Sequence, residues 1–126
     1  VPRPGVSILV LEDDEGLAGF GMGGPQREDD RVADAEIYAL YLRQRRQGEG
    51  LGRALMQALA AEAQRWGAGS LDLWVLAGNV RAVRFYERLG GVPGETRRFR
   101  LARRPLTEQA FVWPSLTKLA APKRHG

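Results

Sequence analysis

No cysteine occurs in the 126 residues, which excludes disulfides, thiol nucleophiles and cysteine-bound zinc and leaves the redox compartment unread. The one histidine, His125, stands in the basic end Pro122–Gly126, so no histidine metal cluster can form and no metal is expected. No apolar run approaches the roughly 20 residues that a membrane helix needs. The opening Val1-Pro2-Arg3-Pro4-Gly5 holds no signal-peptide core, and the expectation is a soluble cytoplasmic protein with no membrane partner. Repeats and low-complexity tracts are also missing. What is present suits one domain over residues 1–126, since hydrophobic residues at 44% supply one modest core. The carboxy-terminal residues 117–126 read as a flexible tail. A formal net charge of +4 suits an anionic partner, with arginine concentrated at 43–46 and 97–104. Those clusters read first as solvated surface, and second, at Arg43, Arg45 and Arg46, as a source of positive field.

The chain is organised around Gln47-Gly48-Glu49-Gly50-Leu51-Gly52-Arg53. An apolar, strand-like run, Ala35 to Leu42, precedes it, and a helix-forming run, Arg53 to Trp66, follows. Glycine removes the Cβ atoms that keep a ligand from the main chain, and a helix start leaves N–H groups unpaired and a positive dipole end pointing outward. Such a turn can hold phosphate or pyrophosphate. Spacing excludes two familiar loops. Arg53-Ala54 stands where a Walker loop needs Lys followed by Ser or Thr, and in this turn the sixth position of the Rossmann fingerprint is Arg53 counted from Gly48 and Leu55 counted from Gly50.

The pattern that fits is Gln/Arg-x-x-Gly-x-Gly/Ala, met by Gln47, Gly50 and Gly52, and here the chain resembles the GNAT superfamily of N-acetyltransferases. A second signature lies downstream, where Asn79 follows the apolar run Ser70 to Leu76 and opens a helix ending in Phe85-Tyr86-Glu87-Arg88-Leu89-Gly90. The two stand in the family's order and separation, and the resemblance spans Ser7 to Leu116. Relative to the family, the first strand and opening helices are missing and the chain begins with Val, so a trimmed, cleaved or mis-started product is expected. Those helices build much of the family's acceptor wall. Coenzyme binding is therefore expected to be better kept than acceptor selection, and the uncovered face favours self-association as a homodimer.

The fold class expected is α/β of the mixed α+β kind: a mostly antiparallel GNAT sheet with a central splayed parallel pair and helices on both faces. Val6–Glu12 and Leu17–Met22 read as a hairpin across Asp13-Asp14-Glu15-Gly16, and 23–31 as a mobile loop. Leu51, Leu55, Ala58, Leu59 and Ala63 share the buried face of the first helix. The near-continuous apolar run Ser70 to Leu76 reads as a strand buried on both sides. A final hairpin pairs Thr96–Leu101 with Glu108–Trp113.

The resemblance implies acetyl-coenzyme A as cosubstrate. Gln47, Gly48, Glu49, Gly50, Leu51, Gly52 and Arg53 would hold its pyrophosphate, the backbone of Leu40, Tyr41 and Leu42 its pantetheine arm as an added strand, and Asn79 and Ala82 would also touch it. Asn79 is in its own right a good helix cap. Acetyl transfer to an amine needs a neutral amine and a proton for the departing thiolate. Tyr86, seven residues after Asn79 on one helix face, is implied as the acid, against a core tyrosine beside Phe85. Glu36 is implied as the base, against an ordinary edge glutamate. The preferred reading is direct N-acetylation of a primary amine, on a small molecule or a protein. A coenzyme-A-binding regulatory module stays open, as does a basic nucleic-acid-associated domain, which lacks the aromatic interleaving of a stacking platform.

Overall fold

A computed structural model describes residues 2–48 and 50–120. Glu49, His125 and the tail residues 121–126 lie outside the described residues. Six strands form one sheet in the order β1-β2-β3-β4-β6-β5. They are β1 (Ser7–Asp13), β2 (Gly16–Pro25), β3 (Ala35–Leu42), β4 (Leu71–Leu76), β5 (Val92–Leu101) and β6 (Arg104–Trp113). Among the described residues three α-helices accompany them: α1 (Leu51–Arg65), α2 (Val80–Arg88) and α3 (Leu116–Ala120). Every neighbouring pair is antiparallel except β3 and β4. The mixed sheet with one central parallel pair is therefore the expected fold class.

The parallel pair is short. Only Ala35↔Leu71 and Glu36↔Asp72 are in register, after which the strands part. β4 instead pairs with β6 along its whole length, from Leu71↔Trp113 to Leu76↔Glu108. On the other side of β3 the register with β2 slips, Met22 facing Ala39 while Gly23 faces Ile37. Tyr38 is thus an extra residue, and such a bulge turns the strand and shifts which side chains point to each face. The result is a fork that opens toward the glycine turn.

Alternation assigns the faces. Ala35 and Ile37 on β3, Leu71 and Leu73 on β4, and Phe111 and Trp113 on β6 join one core with Met56 and Leu59 of α1, Tyr86 of α2 and Leu116 of α3. All three helices therefore contribute to one side, where the sequence reading placed helices on both. Two successive right-handed crossovers, β3-α1-β4 and β4-α2-β5, advance in the same direction across the sheet, which puts both helices on the same face. Helix α1 buries Leu55, Met56, Leu59, Ala60 and Ala63, two adjacent rows of i, i+4 spacing, while Ala58 is exposed.

The opposite face is covered over its centre by the segment between β2 and β3. Gly23–Pro25 belong to β2, and the rest is tied down rather than left as a loose loop. Gln26 N–H donates to Asp34 O, and the Arg27 and Arg31 side chains bind buried carboxylates of β3 and β4. The last hairpin is tighter than expected: Leu101 pairs with Arg104, leaving a two-residue turn of Ala102 and Arg103, both at positive φ, 49° and 67°. At the carboxy end, residues 117–120 belong to α3, with Leu119 buried, so the chain is packed there and not a tail.

Candidate functional site

A cleft of about 400 Å³ opens on the helical side of the fork, between the starts of α1 and α2. Leu40 and Leu42 of β3 form one wall; Gln47, Gly48, Gly50, Gly52 and Arg53 form its floor. Asn79, Ala82 and Tyr86 close it from α2. Ten of the residues singled out in the sequence are thus brought together. Leu51 and Tyr41 do not line it. Tyr41 is 45% exposed and its ring lies 5.7 Å from that of Phe20. Any contribution of Tyr41 would come from its backbone. Past Glu36, the β3 edge facing β4 has no strand partner, so its N–H and C=O groups can pair with an extended ligand.

Each glycine of the turn has its own reason. Gly50 caps α1 at φ +82° and ψ 2°, a left-handed conformation that L side chains rarely adopt. Gly52 lies inside the helix, where an added Cβ would sit 2.9 Å from Phe85 Cζ, so it lets α1 and α2 approach. The first intrahelical bond is Ala54 N–H to Gly50 O, which leaves the N–H groups before it without helical acceptors, and among the described residues no side chain caps them. Gln47 Nε2 donates to Leu42 O at 3.1 Å, fastening the turn to the end of β3.

Of the arginines singled out in the sequence, Arg53 lines the cleft and Arg43, Arg45 and Arg46 do not. Arg43 and Arg46 bind Asp13, and Arg43 and Arg45 bind Glu15, at the β1–β2 turn, so the three arginines of 43–46 share two carboxylates there. Arg53, Arg81 and Arg88 line the cleft and form no ion pair among the described residues. Arg81 and Arg88 were missed in the sequence, although they are spaced by two helical turns, as Asn79 and Tyr86 are. Phe85 and Leu89, named in the sequence only as part of the second signature, are cleft residues too.

Asn79 caps α2, its Oδ1 accepting from Ala82 N–H at 3.2 Å. That N–H is consequently committed within the protein. Tyr86 is 8% exposed and packs edge-on against Trp113, with ring centroids 6.1 Å apart, and beside Phe111. Trp113 is itself fixed by its Nε1–H to Leu89 O. Burial pushes the Tyr86 phenol up to about 12, and its hydroxyl forms no hydrogen bond among the described residues. It is a protonated donor without a protein acceptor, on the wall of the cleft.

Glu36 is neither an exposed edge residue nor free. It is 2% exposed, and Arg27 donates to both oxygens, Nε to Oε1 at 3.1 Å and Nη2 to Oε2 at 2.8 Å, with its backbone N–H adding a third bond. The carboxylate in turn raises the Arg27 guanidinium above its ordinary value. Asp72, which the sequence reading left inside an apolar strand, lies beside it at 1% exposure. Among the described residues no cluster of His, Cys, Asp and Glu could hold a metal ion, and no helix is long and apolar enough to cross a membrane.

Comparison with known proteins agrees with this geometry. A model of the acetyltransferase (GNAT) family matches residues 2–91. The chain is 33% identical over 113 residues to YuaI, an uncharacterized N-acetyltransferase of Bacillus subtilis, covering 89% of this chain and 65% of that protein. It is 40% identical over 98 residues to Rv2669, an uncharacterized N-acetyltransferase of Mycobacterium tuberculosis, covering 78% of this chain and 60% of the relative. It therefore spans somewhat under two thirds of their length. Among solved structures, yncA of Salmonella typhimurium with acetyl-CoA superposes with a TM-score of 0.73 at 25% identity, over 94% of this chain and 69% of that one.

Proposed function

The chain belongs to the acetyltransferase (GNAT) family, and from that premise we propose that it transfers the acetyl group of acetyl-coenzyme A directly to a primary amine. The observation that carries this reading is the convergence in one cleft of N–H groups at the start of α1 and arginines that have no partner among the described residues, together with the Tyr86 hydroxyl. The coenzyme supplies an activated thioester. Its pyrophosphate fits the positive end of α1 at Gly48, Gly50 and Gly52, with Arg53 and Arg81 adding charge. Its arm fits along the free edge of β3 at Leu40–Leu42.

Tyr86 is assigned to the leaving sulfur. A phenol near 12 holds its proton throughout the neutral range, and it is a weaker acid than an ordinary thiol of about 8.5. It therefore stabilises the developing negative charge on sulfur by donating a hydrogen bond, full transfer of its proton to the thiolate being uphill. Glu36 is assigned as base at the narrow end of the fork, on the face opposite the cleft. Serving as base requires Arg27, whose side chain is 56% exposed, to yield an oxygen to the incoming ammonium, one cation replacing another.

Titration calorimetry with acetyl-coenzyme A, with Gly50→Glu as control, tests the binding half, and an amine screen tests the transfer. Binding that disappears in the variant supports the assignment; no binding to folded wild type removes it. The same reading places the protein in the cytoplasm, which fractionation tests. It also includes a homodimer, supported by the exposed stripe of Ile8 and Val10 on β1 with Val6 just before it, and tested by sedimentation.

A further inference from the structure

The face of the fork away from the cleft carries two carboxylates at its narrowest point. Glu36 and Asp72 are register partners on parallel strands, the last pair before β3 and β4 separate. Paired residues point to the same face, and neighbouring strands lie only about 4.8 Å apart. Both are buried, at 2% and 1% exposure. Two like charges so placed repel one another in a region that water screens poorly, and the repulsion acts to widen the fork.

The segment between β2 and β3 supplies the opposing charges. Arg27 takes Glu36. Arg31 takes Asp72, Nε to Oδ2 at 2.9 Å and Nη2 to Oδ2 at 2.7 Å, while Gln26 Nε2 holds Oδ1 at 2.8 Å. The two arginines differ. Arg27 has a side chain 56% exposed, so solvent can take over part of its role, whereas that of Arg31 is 6% exposed. Arg31 also reaches across to Glu95 of β5 at 2.8 Å and lies 4.6 Å above the ring of Trp74, two residues beyond Asp72. It joins both sides of β4 through one buried guanidinium.

We propose that Arg31 is a positioning residue: by cancelling the charge of Asp72 beside Glu36 and tying β4 to β5, it holds the fork at the width that the acyl-pantetheine arm requires. This rests on the coenzyme-binding reading above. It assigns Arg31 no contact with the coenzyme and no proton transfer. Its consequence is selective, because the glycine turn that takes the phosphates lies at the other end of β3.

The test measures binding by calorimetry with two probes, acetyl-coenzyme A and adenosine 3′,5′-bisphosphate, which lacks the arm. Arg31→Ala is expected to bind acetyl-coenzyme A about tenfold more weakly while its affinity for the nucleotide changes less than twofold. Arg31→Ala/Asp72→Asn, in which the excess charge is gone, is expected to recover most of the lost affinity. The apolar pair Arg31→Met/Asp72→Leu guards against a single variant that does not fold, since a well-packed apolar replacement of a buried ion pair preserves stability. It too should keep acetyl-coenzyme A affinity within about threefold of wild type. Unchanged acetyl-coenzyme A affinity in folded Arg31→Ala overturns the proposal, as does equal loss for both probes or failure of both double variants to recover. Wild type that binds neither probe overturns the coenzyme reading itself, and that result is distinct from the others.

Discussion

The buried phenol of Tyr86 makes stability at alkaline pH a direct readout of its environment. Its folded value is pushed up to about 12, against about 10 for an exposed tyrosine. Below pH 10 the group is protonated in both folded and unfolded chains and the pH has no leverage on it. Between 10 and 12 the unfolded chain has lost a proton that the folded one retains, so stability falls as the pH rises. At up to about 1.4 kcal/mol per unit the loss reaches about 2 kcal/mol at pH 12, a large share of the ~5–15 kcal/mol of a typical domain. Tyr86→Phe removes this dependence. Because the hydroxyl has no hydrogen-bond partner among the described residues, the variant should lie within about 0.5 kcal/mol of wild type at pH 8. Guanidinium unfolding of both proteins between pH 8 and 11.5, followed by tryptophan fluorescence, isolates the effect, since every other titrating group is common to the two. The expected result is a difference near zero up to pH 10 that moves against wild type by about 1.4 kcal/mol at pH 11. A flat difference would falsify the buried-phenol account. The same variant should turn over about 10²–10⁴-fold more slowly at pH 8 while binding acetyl-coenzyme A normally.

Four further outcomes follow from separate features. Gly50→Ala is expected to cost about 1–2 kcal/mol through its φ of +82° alone, because an added Cβ meets nothing within 4 Å. Gly52→Ala should instead be relieved by Phe85→Leu, and equal coupling of Phe85→Leu to both glycines in thermal melts would remove the distinction. Replacing Ala102-Arg103 by Asn-Gly, the pair suited to a turn with positive φ at both positions, should raise stability by about 1 kcal/mol; an unchanged or lower melting temperature contradicts the turn assignment. Glu36→Gln is expected to lower kcat about 10²-fold on the best amine of the screen with little change in acetyl-coenzyme A affinity. An unaltered kcat takes Glu36 out of proton transfer.

The sequence by itself determined the local chemistry of the cleft. Gly50 is demanded by a dihedral angle, Asn79 by a helix cap, and the seven-residue step to Tyr86 by helical pitch, and each of these is a property of neighbours in the chain. Hydrophobic spacing likewise placed the strands, with ends shifted by a few residues, because periodicity identifies an element better than its boundary. Tertiary structure decided what depends on residues far apart. The segment 23–31 is polar and glycine-bearing and reads as loose, yet Arg31 is buried because Asp72 stands 41 positions later. Asp72 itself hides in an apolar run, and nothing local tells a buried carboxylate from an exposed one. The arginines of 43–46 look aimed at the glycine turn until the β1–β2 hairpin brings Asp13 and Glu15 to them. The side on which the helices lie was set by crossover direction, a property of strand order, and no periodicity in the sequence encodes it.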